Sequence, residues 1–344
     1  MNILPVSRER ALEDRSYTER FQAHLTDKHP SIELSPAGLA LVGDNLDFIR
    51  KTYGDPEQPT YLQYHNDNHS YGVTTRTLWL LDTWQKAFDT QFDSHTFELA
   101  AIASSTHDIV KGALRNTKQL DIATGTDTIS LHDDDSKSDE QLSAEYAIRS
   151  MHARGNYTSN DRRRVAMAIV ATEVTFDGVS VSLKRIREAA NDPVAASLVI
   201  ADTNDIFARS SSVPSAIGEI VSDLSLEALR GRDSTVEHII DTAGNLLRYQ
   251  SQFLHDRQND YDMISRHLIE EYGVSRRYEA LKKTFDTSVD AALTFAGTLE
   301  TNIDNVVSEF RNELLRSKDM SLAQQNKVRH ALVRALDNLR KSTI

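Results

Sequence analysis

The amino-acid sequence predicts an all-α protein, and three observations lead to that prediction. Apolar residues recur at steps of three and four along most of the 344-residue chain, which is the spacing of helices buried on one side. Strict alternation of apolar and polar residues, the pattern of a half-buried strand, is rare. Only 13 Gly and 7 Pro interrupt the pattern, so the helices can be long.

The first two thirds of the chain divide into helices and loops in a clear order. A charged N-terminal extension covers residues 1–34, and Pro36 then begins a helix at its first turn, where proline is well tolerated. Residues 112–138 are rich in Thr, Asp, Gly and Ser, and we expect a long loop there. Ser159 or Asn160 is the expected N-cap of the helix that follows the next break. The periodic segments lie at residues 69–90, 95–108, 139–153, 161–174 and 192–207.

The last third of the chain contains the longest helical pattern. After a Ser-rich break at residues 210–214, a helix should run to about Tyr272 and end at Gly273, since glycine is common just beyond a helix C-terminus. Apolar residues then follow at helical spacing over 276–315, and a shorter helical pattern comes after them. We expect a helical hairpin or oligomerisation arm over 273–344, through which the protein could form a homodimer.

Composition excludes several classes of protein. The 39 Lys and Arg against 51 Asp and Glu give a net charge of −12, which argues against bulk nucleic-acid binding. Without cysteine there is no disulfide framework, zinc finger, iron–sulfur cluster or Cys nucleophile, so a transition-metal site must use imidazole and carboxylate ligands. The chain shows neither a signal peptide nor a long apolar run, and we expect a soluble, cytoplasmic protein with no membrane partner.

Candidate ligands occur at four places where a polar side chain lies on an apolar helix or at its end. A charge in such a position is costly unless it is paired or binds a metal. Each place alone is equally typical of an ordinary core or surface residue; a His pair at this spacing, for example, is usually accidental. The candidates are His65 with His69, His107 with Asp108, Asp202, and the acids Glu140 and Glu173.

The order His, His-Asp, Asp along the chain resembles the metal-ligand order of the HD superfamily of metal-dependent phosphohydrolases. Residues 64–69, YHNDNH, resemble the YHNxxH word of the cyclic nucleotide phosphodiesterases and of a bacterial family of predicted HD phosphohydrolases. Residues 107–110, HDIV, resemble the HDxV word of that bacterial family, and softer likenesses lie at residues 139–144, 168–172 and 199–206. The resemblance implies an HD-domain helical bundle at residues 35–272, with the long C-terminal helical hairpin added to it.

The resemblance also implies roles for individual residues. His65 would be the general acid, Asn66 would position His65 or the substrate, and Asp108 would be catalytic and could bridge to a second ion in a dinuclear site. Lys111 and Arg115 would meet the phosphate of a small phosphorylated substrate, such as a nucleotide, although both could equally be surface cations. The ligands of a divalent metal (Mg, Mn, Zn, Fe, Co or Ni) would be His69, His107, Asp108 and Asp202, with Glu140 and Glu173 behind them.

Two other classes of function stay open at this point. Gly112 stands where the phosphodiesterase pattern has a further His, and Lys111 suits an HD-fold di-iron oxygenase, whose extra ligands would be His132 and His152. The second alternative is a non-catalytic signalling or scaffold protein whose C-terminal helices bind a partner. The leading expectation is a metal-dependent hydrolase of a small phosphomono- or phosphodiester.

Overall fold

The structure is a computed structural model that describes residues 16–115, 119–125, 127–176, 181–183, 185–203, 213–227, 235–314 and 322–342. Within these residues the protein is all-α, since helices dominate and the strands form two short antiparallel hairpins. The fold class predicted from the helical spacing is confirmed.

The part of the chain before residue 204 contains eight described helices and both hairpins. The helices are α1 Tyr17–Lys28, α2 Pro36–Tyr53, α3 Asp67–Phe88, α4 Ser94–Thr106, α5 Asp139–Arg154, α6 Ser159–Val170, α7 Ile186–Ala190 and α8 Pro193–Thr203. The strands are β1 Gln119–Thr124, β2 Asp127–His132, β3 Val174–Phe176 and β4 Val181–Leu183. The remaining described helices are α9 Val213–Glu227, α10 Val236–Tyr272, α11 Arg276–Leu314 and α12 Leu322–Ser342.

Side-chain caps determine where several helices begin. Ser35 accepts a hydrogen bond from the Gly38 N–H and places Pro36 in the first turn of α2, as expected. The cap expected at Ser159 or Asn160 is wrong. Thr158 caps α6 in a capping box with Asp161, which pairs each side chain with the other residue's N–H.

The expected long loop over 112–138 is also wrong, because most of it forms the β1–β2 hairpin. Leu120 and Ile122 alternate with exposed residues in β1, and Leu131 lies opposite Leu120 in β2. Their apolar face packs against α2 and α5. The strands have six residues each, so this alternation is too short to stand out among the polar residues around it.

Other boundaries differ from the expected ones by a few residues. Helix α6 ends at Val170 rather than residue 174, because the chain turns there and enters β3. The expected helix at 192–207 is α8, and its last expected residues, 204–207, lie outside the described residues, as do 210–212 and 1–15. Gly273 has a φ of 87° and ends α10 as expected.

The first core, which we call the central core, lies where α3, α4 and α8 pack against one another. Helix α1, from the N-terminal extension, contributes Tyr17, Phe21 and Leu25 to it, and all three are buried. The C-terminal end of α10 reaches the same core through Tyr261. The central core therefore fixes the relative positions of the three helices that carry the candidate ligands.

A second core, which we call the C-terminal core, lies among α9, α10, α11 and α12. The apolar stripe of α11 is buried within this single chain, for example at Val289 and Leu299, and Leu332 of α12 lies in the same core. Tyr64, next to the candidate general acid, also belongs to this core. The C-terminal helices thus pack directly against the segment that carries His65.

None of the described helices is both long enough and apolar enough to cross a membrane.

Candidate metal centre

The four expected metal ligands come from three helices of the central core. His69 lies in the first turn of α3, His107 and Asp108 follow the last residue of α4, and Asp202 lies near the end of α8. His69, His107 and Asp108 are almost completely buried, whereas the side chain of Asp202 is 19% exposed. The packing of these helices brings all four residues together.

His69, His107 and Asp108 each direct one atom at a common centre, and Oδ1 of Asp202 lies near both imidazole nitrogens. Oδ2 of Asp108 lies 3.3 Å from Nε2 of His69 and 3.2 Å from Nε2 of His107. Oδ1 of Asp202 lies 3.2 Å from Nε2 of His69 and 3.4 Å from Nε2 of His107. Two ligand atoms that are each ~2.1 Å from one ion lie ~3.0–3.4 Å apart at octahedral or tetrahedral angles, so these spacings suit a single divalent metal.

The protonation pattern of His107 also suits a metal ligand. Its Nδ1–H donates to the carbonyl oxygen of Ser104 at 2.6 Å, which leaves Nε2 with its lone pair toward the centre. Nε2 of His107 and Oδ2 of Asp108 are buried and form no hydrogen bond with any residue that the structure describes. Buried polar atoms without partners are rare, and a shared cation would satisfy both.

Without a bound cation, the charges of Asp108 and Asp202 strongly shift the pKa of the neighbouring His107. Burial alone would lower the pKa of His107, but the charges of Asp108 and Asp202 raise it to about 9. Burial works against ionisation of Asp108, yet His107 and Lys111 hold its pKa well below the usual range. The site therefore keeps its carboxylates ionised, which is the state that binds a metal.

Lys111, expected to bind substrate, is tightly paired with Asp108, one of the expected metal ligands. Its Nζ lies 2.6 Å from Oδ1 of Asp108 and 3.9 Å from Oε1 of Glu140. Burial opposes the charged ammonium, but these carboxylates raise the pKa of Lys111 well above normal. The pKa of Glu140 is raised by burial, although Lys111 opposes that effect. Lys111 thus holds the second oxygen of Asp108 while Oδ2 faces the centre.

The turn after His107 and Asp108 is held by two neighbouring helices. The hydroxyl of Tyr53 donates to the Ile109 carbonyl and accepts from the Lys111 N–H. Ser143 of α5 accepts from the Val110 N–H. Ser143 thus fixes the backbone of the turn that follows the two expected ligands.

His65 lies on the segment between α2 and α3, residues 61–66, which we call the His65 loop. Asn66 caps α3 by accepting from the N–H groups of Asn68 and His69, and its Nδ2 donates to the Gln63 carbonyl. Both ends of the Asn66 side chain are therefore engaged with backbone groups. Of its two expected roles, the contacts favour positioning of His65.

Asp223 of α9 holds the same loop from the other side. Its buried carboxylate accepts from the N–H groups of Gln63 and Tyr64 at 2.9 and 2.8 Å, and Oδ2 lies 3.9 Å from Nδ1 of His65. Burial raises the pKa of Asp223, although these N–H groups oppose the shift. Burial also lowers the pKa of His65 to about 3, and the charge of Lys111 adds to this. The His65 ring is 5.7 Å from that of His69, beside the centre.

Arg115 is the expected substrate residue that the structure places elsewhere. Its guanidinium binds the carboxylates of Asp133 and Asp139 and the carbonyls of Asp134 and Lys137. These contacts occupy its donors and stabilise the segment that leads into α5. The expected contact of Arg115 with substrate phosphate stays a prediction, and its described contacts are with this acidic segment.

The remaining expected residues are Glu173 and the two additional histidines of the oxygenase alternative. Glu173 is buried just beyond α6, directly before Val174. The additional ligands of the oxygenase alternative, His132 and His152, are both exposed to solvent, at the end of β2 and near the end of α5. In the described part of the chain, the cluster with metal-binding spacing is formed by His69, His107 and Asp108.

A cavity of about 570 Å³ opens onto the centre between the ligand-bearing helices and α9 and α10. Its polar end contains His65, Lys111, Glu140 and Asp202. The wall formed by α9 and α10 is largely apolar in area. Its apolar residues are Ile220, Leu224, Leu246 and Phe253, and its more polar residues are Thr242, Asn245, Tyr249 and Gln250. A small molecule could therefore place one polar group at the centre and an organic group against α9 and α10.

Sequence reasoning missed Tyr53, Asp223 and Arg329, the last of which lies 3.6 Å from Asp223. A signal for Asp223 was present, since it is a lone carboxylate between Val221 and Leu224, like Asp202 on α8. Tyr53 and Arg329 carried no comparable local signal.

Comparison with known proteins gave no match to a family model, to a curated protein or to a solved structure. The interpretation of the site therefore depends on the chain's own residues and geometry.

Proposed function

We propose that this protein is a metal-dependent phosphohydrolase of the HD type, acting on a small phosphate ester. The observation that carries the proposal is the buried cluster of His69, His107 and Asp108, with Oδ1 of Asp202 lying 3.2 and 3.4 Å from the two imidazole Nε2 atoms. The unpartnered Nε2 and Oδ2 atoms in that cluster are a second support. A His and carboxylate set of this kind suits Zn, Mn, Fe, Co or Ni, and with added water also Mg.

Lys111 and His65 would have different roles in phosphate ester hydrolysis at this site. When bound, the ion supplies Lewis acidity, which lowers the pKa of water and offsets negative charge on phosphate oxygens. Lys111 holds Asp108 in its ligating orientation through the 2.6 Å contact. His65 lines the cavity beside the ligands, where it can donate a proton to the leaving oxygen. An anionic phosphate next to its ring would counteract the low pKa that burial imposes.

The cavity supports an ester with an organic group of moderate size. Its volume of about 570 Å³ and its apolar wall suit a group such as a nucleoside. Gln250 is buried in this wall, and its Oε1 accepts no hydrogen bond from the described part of the chain. An N–H donor on the substrate would satisfy that oxygen, whereas a purely hydrocarbon group would not.

Metal analysis and a hydrolysis panel test this function together. Purified protein should contain about one divalent ion per chain and hydrolyse at least one class in a panel of phosphomonoesters and phosphodiesters. Asp108→Ala and Asp202→Ala should each remove the ion and the activity. Asp241→Ala on α10 is the matched control, because it also removes a carboxylate, but one whose side chain is 71% exposed.

Two results would contradict the proposal. One is a wild-type protein that binds no divalent metal after incubation with each candidate ion. The other is an Asp108→Ala variant that keeps both its metal content and its hydrolytic activity. The cytoplasmic location expected from the sequence belongs to the same proposal, and fractionation of cells that express the protein tests it.

A further inference from the structure

Arg329 connects the C-terminal helices to the His65 loop. It lies on α12 and is only 2% exposed, although it is charged. Its Nη2 donates to the carbonyl oxygen of Tyr61 at 2.7 Å, and its guanidinium carbon lies 4.8 Å from the centre of the Tyr61 ring. Its Nε lies 3.6 Å from Oδ1 of Asp223. One buried guanidinium thus contacts both the start of the loop and the carboxylate that holds its middle.

These contacts form a continuous path from α12 to the candidate general acid. Arg329 contacts Asp223, Asp223 accepts from the N–H groups of Gln63 and Tyr64, and His65 is the next residue. Arg329, Asp223 and Tyr64 are buried, whereas Gln63 and His65 are partly buried, so the charged part of the path is shielded from water. A lysine ammonium would keep the charge of this guanidinium but would not both stack and donate in the same geometry.

Another arginine on the same helix shows what an ordinary surface pair looks like. Arg334 is 63% exposed and pairs with Glu313 of the adjacent helix α11. It has the same charge and lies on the same helix, but its described contacts do not involve the His65 loop. The burial of Arg329 against the loop is therefore a specific feature of its position.

We infer that Arg329 is a positioning residue for His65, and that α12 completes the catalytic unit by supplying it. This inference rests on the proposed function, because it assigns the loop a catalytic general acid. General acid catalysis needs the donor within hydrogen-bond distance of the leaving oxygen, so a small displacement of the loop removes much of its benefit. The role of Arg329 is to prevent that displacement.

The test compares two phosphate esters that differ in their need for a general acid. A 4-nitrophenyl ester has a leaving group that departs without protonation, whereas the matching alkyl ester needs a proton on the leaving oxygen. The full-length protein, loaded with its metal, is assayed on both as wild type, Arg329→Met, Arg329→Lys and the control Arg334→Met. We expect Arg329→Met to lower kcat for the alkyl ester by about 100-fold and for the 4-nitrophenyl ester by less than about fivefold. Arg329→Lys should restore part of the loss, and Arg334→Met should change neither rate.

Hydrogen exchange gives a second readout that does not depend on activity. The amides of Gln63 and Tyr64 should exchange faster in Arg329→Met than in wild type, with the metal content unchanged. If Arg329→Met does not fold, the double variant Asp223→Asn with Arg329→Met is used, because it removes both buried charges. It should show the same selective loss of kcat on the alkyl ester and the same faster amide exchange. Equal losses of kcat on the two esters, or no change in either kcat, would overturn the inference.

The two proposals fail in different ways. A wild-type protein without metal and without hydrolysis of either ester would contradict the proposed function. A wild-type enzyme that is active on both esters, with unchanged ratios in the Arg329 variants, would contradict the positioning role alone.

Discussion

Replacing Lys111 with methionine should weaken the fold and strengthen metal binding. The ammonium of Lys111 and the carboxylate of Asp108 form a contact of 2.6 Å, and their side chains are 11% and 4% exposed. Methionine keeps the apolar stem and removes the charge. In the metal-free protein Asp108 and Asp202 then share the positive charge of His107 alone, whereas a bound divalent metal still neutralises both carboxylates.

The size of the effect follows from a thermodynamic cycle. Breaking a buried ion pair by removing one partner costs about 3–5 kcal/mol, which is the loss we expect for the metal-free protein. In the metal-loaded protein the remaining loss is that of one charged hydrogen bond, about 1.5–3 kcal/mol. The difference, about 1.5–2 kcal/mol, appears as metal binding that is ~10–30-fold tighter in Lys111→Met.

Urea denaturation with and without a chelator measures both stabilities, and competition with a chromophoric chelator measures the metal Kd. Lys137→Met is the matched control, since Lys137 pairs with Glu145 at 2.8 Å but its side chain is 36% exposed. It should cost less than about 1 kcal/mol and leave the Kd unchanged. Equal losses for Lys111→Met in the two conditions, or weaker metal binding, would refute the reasoning.

Three further predictions rest on single side chains. Arg115→Met should lower the free energy of unfolding by about 1.5–3 kcal/mol in urea denaturation, because it removes charged hydrogen bonds, and an altered KM for phosphate esters would count against a purely structural role. Trp84→Ala should cost about 3–5 kcal/mol, since Trp84 is 1% exposed in the central core, and a loss below about 1 kcal/mol would contradict that packing. Burial tends to raise the pKa of Asp82, but hydrogen bonds from Lys86 and His29 hold it below its usual value. Asp82 therefore stabilises the fold above its unfolded pKa and loses this effect as pH falls through the folded pKa, so thermal melts should find Asp82→Asn less stable than wild type near pH 7 and the difference should disappear below the folded pKa.

The sequence predicted the ligand-bearing helices well because their signals are local. Helix α3 was expected at residues 69–90 and spans Asp67–Phe88, and α4 was expected at 95–108 and spans Ser94–Thr106. Helical spacing repeats within each segment, so it needs no knowledge of distant residues. The β1–β2 hairpin was missed because its stability comes from packing against α2 and α5, which the local pattern does not contain.

The candidate site shows the same division between local and long-range information. A lone carboxylate on an apolar helix indicates that a partner exists, but it does not identify that partner. Asp202 and Asp223 carry the same signal 21 positions apart. Asp202 faces two imidazoles, whereas Asp223 accepts from backbone N–H groups 159 and 160 positions earlier in the chain.

What separates these two outcomes is the arrangement of the neighbouring helices. Asp202 is on α8, which packs against the helices that carry His69 and His107, so a shared cation is its natural partner. Asp223 is on α9, which packs against α12, so the carboxylate lies near Arg329 and the His65 loop instead. Arg329 contacts Tyr61 across 268 positions of sequence, and no pattern within a helix could have indicated it. The role of a buried acid in an apolar helix therefore depends on which helix packs beside it. At Asp202 the neighbouring helices favour a metal ligand, and at Asp223 they favour a residue that positions the His65 loop.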